Sequence, residues 1–227
     1  MMYLSRLRLS RDPQVQALNA LLDPAPGGER EDAHHRLIWS LFAGDPTAQR
    51  DFLWRAEGEG SFLVQSQRPP AQSPFFEPPE TRDLAPDLRS GDRLSFLLRA
   101  NATRDLHRGD DKKKRQRVDV VMNLLHSVPK AERNAKRLDL AGQAALEWMT
   151  AQGMRAGFTP ERVEVQDYQT VTLPGYRGKR IGEPRFGILD LTGTIAVTDP
   201  DAFLAKLGQG FGRAKAFGCG LMLIRRG

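Results

Sequence analysis

The stretch Pro200-Asp-Ala-Phe-Leu-Ala-Lys-Leu-Gly208-Gln-Gly-Phe-Gly-Arg-Ala-Lys-Ala-Phe-Gly-Cys-Gly220-Leu-Met-Leu-Ile224 reads as a short helix, a glycine-rich loop and a closing apolar strand. Glycine has no Cβ, so such a loop turns sharply and lets a ligand come close to the backbone. Successive exposed N–H groups in a turn form a nest for an anion, and Arg213 and Lys215 add full positive charge. The ligand this favours is a phosphate, and the same glycines also serve a tight helix-to-strand turn. No Gly-Lys-Ser or Gly-Lys-Thr follows, and the loop leads into a strand rather than a helix, so it is not a nucleotide P-loop.

Working back along the chain, residues 161–173 and 185–197 have the length and composition of two hairpin strands. Their turn, residues 174–184, is basic and carries Tyr176, Arg177, Lys179 and Arg180. Residues 141–152 form a helix pattern with Leu146, Trp148 and Met149 apolar, and Val118 to Met122 reads as a strand. The second half is therefore mostly β–α–β–β–α–β. In the first half Tyr3, Ser5, Leu7 and Leu9 share one face of a strand, and residues 32–42 have helical spacing ended by Gly44-Asp-Pro46. Strands follow at residues 52–54, 61–66 and 93–99, with a proline-rich irregular stretch, residues 69–86, between the last two. The expectation is an α+β chain of two tandem ferredoxin-like (RRM-like) domains. Residues 1–100 and 118–227 make the domains, and 101–117 make a basic linker or hairpin arm.

The 227 residues carry a net charge of +6, a balance that favours nucleic acid or another polyanion as partner. A single cysteine, Cys219, excludes an internal disulfide and a cysteine zinc cluster, and fits a reducing cytoplasm. No apolar run is long enough for a membrane span, and the N-terminus alternates as a strand does, without the apolar core of a signal peptide.

Four motifs then stand in order: Met2-Tyr-Leu-Ser-Arg-Leu7, His35-x-x-Ile-Trp-x-Leu-Phe42, Phe96-x-Leu-Arg-Ala-Asn101 and Gly210-x-Gly-x-x-Lys-x-x-Gly-Cys-Gly-Leu221. Together they closely resemble the CasE family, the CRISPR repeat-processing endoribonuclease subunit of type I-E Cascade. The resemblance covers essentially the whole chain. It implies the tandem ferredoxin-like fold and cleavage of precursor RNA below the stem-loop of the CRISPR repeat. It also implies that the enzyme keeps its product and joins the other Cascade subunits.

RNA brings its own nucleophile, the 2′-hydroxyl, so an enzyme needs only to align it, move protons and stabilise charge on phosphorus. Histidine is the usual proton carrier near neutral pH. The acids of this sequence are scattered, with no cluster of ligand spacing, which favours cleavage without a metal or other cofactor. Four histidines compete, His34, His35, His107 and His126, and composition does not choose between His34 and His35. The resemblance assigns the catalytic role to His35, leaving His34 a packing or supporting role and His107 a possible phosphate contact. Family members often carry a tyrosine three residues before this histidine. Here that residue is Asp32, which either caps the helix or raises the pKa of a nearby histidine.

The resemblance further places a catalytic cation on the basic hairpin turn, taken as Lys179. Tyr176, Arg177 and Arg180 are then RNA contacts, together with Arg36, Arg213 and Lys215. The alternative is a non-catalytic subunit that only binds an RNA hairpin. It lacks support from an RNP1 aromatic pattern, with aromatics only 7% of residues. A third reading, a DNA-binding regulator, has no helix-turn-helix or zinc pattern in its favour.

Overall fold

Strand β1 (Tyr3–Arg8) opens the chain with the alternation that its side chains dictate. Ser5, Leu7 and Leu9 point into a core, while Arg6 and Arg8 point out toward Glu57 and Glu80. The computed structural model describes residues 2–44, 49–107, 115–173 and 183–226. These divide into two compact units: Met1–Asp87, Val171–Arg185 and Ala214–Leu221 form one, and Leu88–Thr170, Phe186–Arg213 and Met222–Gly227 form the other.

In the first unit β1 is followed by the one-turn helices α1 (Pro13–Gln16) and α2 (Asn19–Leu22), and then α3 (Gly28–Trp39). The hairpin β2 (Phe52–Gly58) and β3 (Ser61–Ser66) follows, and β4 (Glu80–Asp83) completes an antiparallel sheet in the order β2-β3-β1-β4. Leu7 of β1 stands opposite Phe62, and Trp54 opposite Val64, so one sheet face is apolar. Ile38, Leu41 and Phe42, from the end of α3 and just beyond it, close that face, with Trp54, Phe62 and Val64 fully buried. The strand order is that of a ferredoxin-like unit whose second crossover has lost its helix. Residues 67–79 contain five prolines, which forbid continuous helical hydrogen bonding there.

The second unit is the complete version. Strand β5 (Arg93–Ala100) is followed by the hairpin β6 (Thr103–His107) and β7 (Arg115–Asp119), α4 (Val120–Leu125) and the long helix α5 (Arg133–Ala156). Then come β8 (Phe158–Thr172), β9 (Arg185–Val197), α6 (Pro200–Gln209) and β10 (Met222–Arg226). The sheet order is β10-β5-β9-β8, with α5 and α6 as the two crossovers. Alternation buries Leu94, Phe96, Leu98 and Ala100 of β5. Helix α5 meets them with Ala141, Ala144, Ala145, Trp148, Met149 and Ala156, an apolar stripe at helical spacing. Helix α6 starts at Asp199, whose carboxylate accepts the Ala202 N–H, with Pro200 in the first turn.

The tandem ferredoxin-like expectation therefore holds, but three details are corrected. The boundary near residue 100 is displaced, because β5 pairs with β9 and β10 and so founds the second sheet. The fourth strand of the first sheet is β4, inside the stretch read as irregular; all its residues are exposed, so no apolar alternation marks it. Val118 to Met122 is not one strand. Asp119 ends β7 and accepts the N–H groups of Val121 and Met122, both at 2.9 Å, so a helix starts where β-branched residues favoured a strand.

Asp119 also accepts the Tyr168 hydroxyl at 3.0 Å. Burial and this carboxylate together hold the tyrosine protonated, far above its ordinary range. Replacing Asp119 by Ala removes a cap and takes from the buried Tyr168 hydroxyl its acceptor, leaving it only the hydrogen bond with Thr170. The expected loss is about 1–3 kcal/mol of unfolding free energy, with most of it recovered in Asp119→Asn, read by denaturant titration.

Candidate active site around His35

Adjacent residues on a helix point about 100° apart, so His34 and His35 cannot share an environment. Helix α3 turns His34 inward. Its ring stands edge-on to Phe62, 4.7 Å between centroids, and to Trp54 at 6.0 Å, and the residue is only 3% exposed. His34 Nε2–H donates to Asp23 Oδ1 at 3.0 Å, and Arg30 meets the same oxygen at 2.8 Å. Burial lowers the His34 pKa more than Asp23 raises it, so the ring is held neutral. His34 is thus a packed, hydrogen-bonded residue of the core.

His35 emerges at the surface of the same unit, half-buried between Trp39, 6.0 Å away, and Phe217, 6.1 Å away. Its Nδ1 is buried and has no hydrogen-bond partner among the described residues. Its pKa is also lowered, first by burial and next by the charge of Arg50, with Asp32 opposing and Arg36 adding to the shift. The result is an imidazole that is neutral at pH 7 and partly accessible. Arg50 is itself in a desolvating environment that lowers the pKa of its guanidinium. Sequence reasoning missed it: it sits alone in the loop before β2, with no motif around it.

The glycine loop packs against this helix. Residues Lys215–Phe217 form a 3-10 turn whose Phe217 faces His35 and whose Ala216 carbonyl accepts the Trp54 indole N–H at 3.3 Å. Gly218 follows at φ +70°, and a Cβ there would lie 3.2 Å from the Trp54 ring, so this position favours glycine on both counts. Lys215 is thereby carried on the turn beside His35. Arg213 belongs to the second unit, where its N–H is bonded to the Asn101 carbonyl at 3.1 Å. The two cations of the loop thus serve different units.

Helix α3 begins against the end of β8. A Cβ on Gly28 would lie 1.8 Å from the Thr172 carbonyl oxygen, so only glycine permits this approach. One residue on, the Leu173 N–H bonds the Pro184 carbonyl at 3.1 Å and closes the base of the basic turn. Tyr176, Arg177, Lys179 and Arg180 lie outside the described residues. Asp32 is not a cap: the N-cap is Gly27, and Asp32 lies inside α3, paired with Arg36 at 2.8 Å. Arg36 is 73% exposed at its side chain. The backbone of His107 ends β6 in the second unit, and His126 caps the C-terminus of α4 there. Among the described residues no group of three or more His, Cys, Asp or Glu side chains is arranged to hold a metal, and no helix is long and apolar enough to cross a membrane.

A family model described as CRISPR associated protein matches residues 2–226. The chain belongs to this family. It is 26% identical over 197 residues to the CRISPR system Cascade subunit CasE of Escherichia coli strain K12, covering 84% of this chain and 89% of that one. The crystal structure of the CRISPR-associated protein Cas6e from E. coli K-12 superposes with a TM-score of 0.63 at 23% identity, covering 99% of each chain. Thermus thermophilus Cse3, bound to an RNA representing a pre-cleavage complex, gives 0.61 at 22% identity, covering 99% of this chain and 98% of that one. Both share the fold of this family member.

The buried histidine predicts a pH response of stability. The folded-state pKa of His34 lies below its ordinary 6.5, so the unfolded chain binds the proton more readily. Stability is then full above pH 6.5 and falls as the pH drops toward the folded-state pKa. Thermal melts between about pH 8 and pH 5.5 should show this loss, and His34→Gln, which keeps a donor for Asp23 but does not titrate, should make it shallower, leaving the part due to His35, whose pKa is lowered in the same direction. An equally steep dependence in the variant would assign the effect to other groups.

Proposed function

We propose that this chain is the endoribonuclease that binds the stem-loop of a CRISPR repeat, cuts the precursor RNA and stays bound as a subunit of Cascade. The observation that carries the reading is His35: a neutral, half-open imidazole held between two aromatic rings, with cations on the adjoining segments. It is supported by the family to which the chain belongs, by the E. coli relative named as a Cascade subunit, and by the RNA bound to Thermus thermophilus Cse3. The buried Cys219 and the basic net charge fit a cytoplasmic RNA-binding protein.

In this reading neutral His35 takes the proton of the 2′-hydroxyl. The 2′-oxygen bonds to phosphorus, and the bond from phosphorus to the 5′-oxygen breaks. A 2′,3′-cyclic phosphate remains on one product, and the leaving oxygen gains a proton to become a 5′-hydroxyl on the other. Arg50 beside His35 and Lys179 on the basic turn stabilise the extra negative charge. Arg36, Lys215, Tyr176, Arg177, Arg180 and Arg213 hold the RNA, largely through phosphates, because the deep major groove of A-form RNA hides its base edges. The chemistry uses the nucleophile of the substrate and calls for no metal.

His35→Ala should reduce cleavage of a labelled repeat hairpin by at least the 10²–10⁴-fold typical of a lost proton-transfer group, with hairpin affinity nearly unchanged. His34→Ala should retain substantial activity. In the wild type the acidic limb of the rate profile should fall below pH 6.5, the direction set by the lowered His35 pKa. A dead His34→Ala beside a normally active His35→Ala would move the catalytic role to the inner histidine.

Cleavage should persist in excess EDTA and stop on a substrate with a 2′-deoxy sugar upstream of the cut. Activity restored only by magnesium, or efficient cutting of the deoxy substrate, refutes attack by the internal hydroxyl.

A further inference from the structure

A cleft of about 860 Å³ opens within the second unit, lined by the β6–β7 hairpin, the C-terminal halves of α5 and α6 and the start of the glycine loop. Arg104, Arg117, Arg155, Lys206 and Arg213 line it, against the carboxylates Asp105 and Glu147. Arg117 is engaged by Asp105 at 2.9 Å. Arg104 lies 3.7 Å from Glu147, beyond hydrogen-bond distance.

The other cations are held by neutral groups. Arg155 donates from Nε to the Ala151 carbonyl at 3.1 Å. The Lys206 ammonium lies 5.6 Å from the centre of the Phe211 ring, and Arg213 is fixed through its backbone to Asn101. Neither Arg155 nor Lys206 pairs with a carboxylate among the described residues. The Lys206 pKa is lowered by burial and then by the Arg155 charge, so two like charges are kept together in a partly desolvated wall. The fold tolerates this repulsion, and an anion in the cleft would relieve it.

The shape narrows the choice of anion. The volume lies within the range of about 300–1,000 Å³ of ligand pockets, room for a few nucleotides and not for a duplex. Trp148, the aromatic residue of the lining, is 5% exposed, so it offers no open face for stacking a base. Contacts would therefore run to phosphates, in the manner of grooves that track single strands without reading their sequence. We propose that this cleft is a phosphate-binding site for the single-stranded RNA that flanks the repeat hairpin, a site separate from the residues around His35. The proposal rests on the reading of RNA as substrate.

The test compares three RNAs by fluorescence anisotropy over a salt series: the bare hairpin, and the hairpin with an oligouridylate flank of about ten nucleotides on its 5′ or its 3′ side, within the ~4–16 nucleotides such grooves take. The wild type should bind one flanked RNA several-fold more tightly than the bare hairpin. In the double variant Arg155→Gln, Lys206→Gln that gain should vanish, and the slope of log affinity against log salt should fall by about 1.4, at roughly 0.7 per single-strand phosphate contact. Affinity for the bare hairpin and its cleavage rate should be unchanged, with circular dichroism and melting confirming the fold. If the double variant melts early, the two single variants carry the test.

An equal loss on the bare hairpin would place the stem in the cleft, and no loss on any RNA would assign it to a protein or a small anion. Either result overturns the proposal. A wild type that fails to cut but keeps the flank effect would sink the catalytic reading and leave the cleft standing.

Discussion

The burial of His34 is the constraint on which the candidate site depends. A histidine inside an apolar core is costly, and here Asp23 meets Nε2 while Phe62 and Trp54 close on the ring, with Nδ1 buried and without a hydrogen-bond partner among the described residues. Asp23 is held in turn by Arg30, one helical turn before His34 on the same helix. Rotating α3 to expose His34 would break this cluster and lift Leu37 and Ile38 from the sheet. The rotation of the helix is therefore fixed by the inner histidine, and the outer one inherits its position. His35 then stands at the edge of the core with one ring nitrogen lacking a partner among the described residues.

The glycine loop completes that environment from the far end of the sequence. Trp54 links the two, packing His34 on one side and receiving the loop through its indole N–H and the bare face of Gly218. A loop that a sequence reader takes for a phosphate nest thus also supplies an aromatic wall, Phe217, to the histidine. The wall contributes to the burial that keeps the imidazole neutral, and a neutral imidazole is the form that accepts a proton.

The two units show how far one topology can be pared down. The second keeps both helical crossovers and an apolar stripe along the 24 residues of α5. The first keeps the strand order and replaces a helix with a proline-rich loop, while β4 clings to the edge as a polar strand. An edge strand needs only its backbone to pair, so its side chains are free to be polar.

The sequence by itself determined whatever depends on local periodicity and chemistry. The strands β1 and β5, which bury alternate residues, the apolar run of β3, the paired strands β8 and β9 and the helix α6 were legible because their local patterns are those of the elements they form. The four motifs singled out His35 through resemblance. Tertiary structure decided what depends on partners distant along the chain. It assigned β5 to the second sheet, because strand pairing is chosen by backbone complementarity that no single strand encodes. It showed Asp119 turning a valine-rich segment into a helix, where one capping carboxylate outweighs β propensity. It also brought Arg50 within electrostatic reach of His35 and divided Arg213 from Lys215, although only one residue separates those two in the sequence. Electrostatic neighbourhoods arise from distance in space, and spacing along a chain fixes that distance only within a helix or a strand.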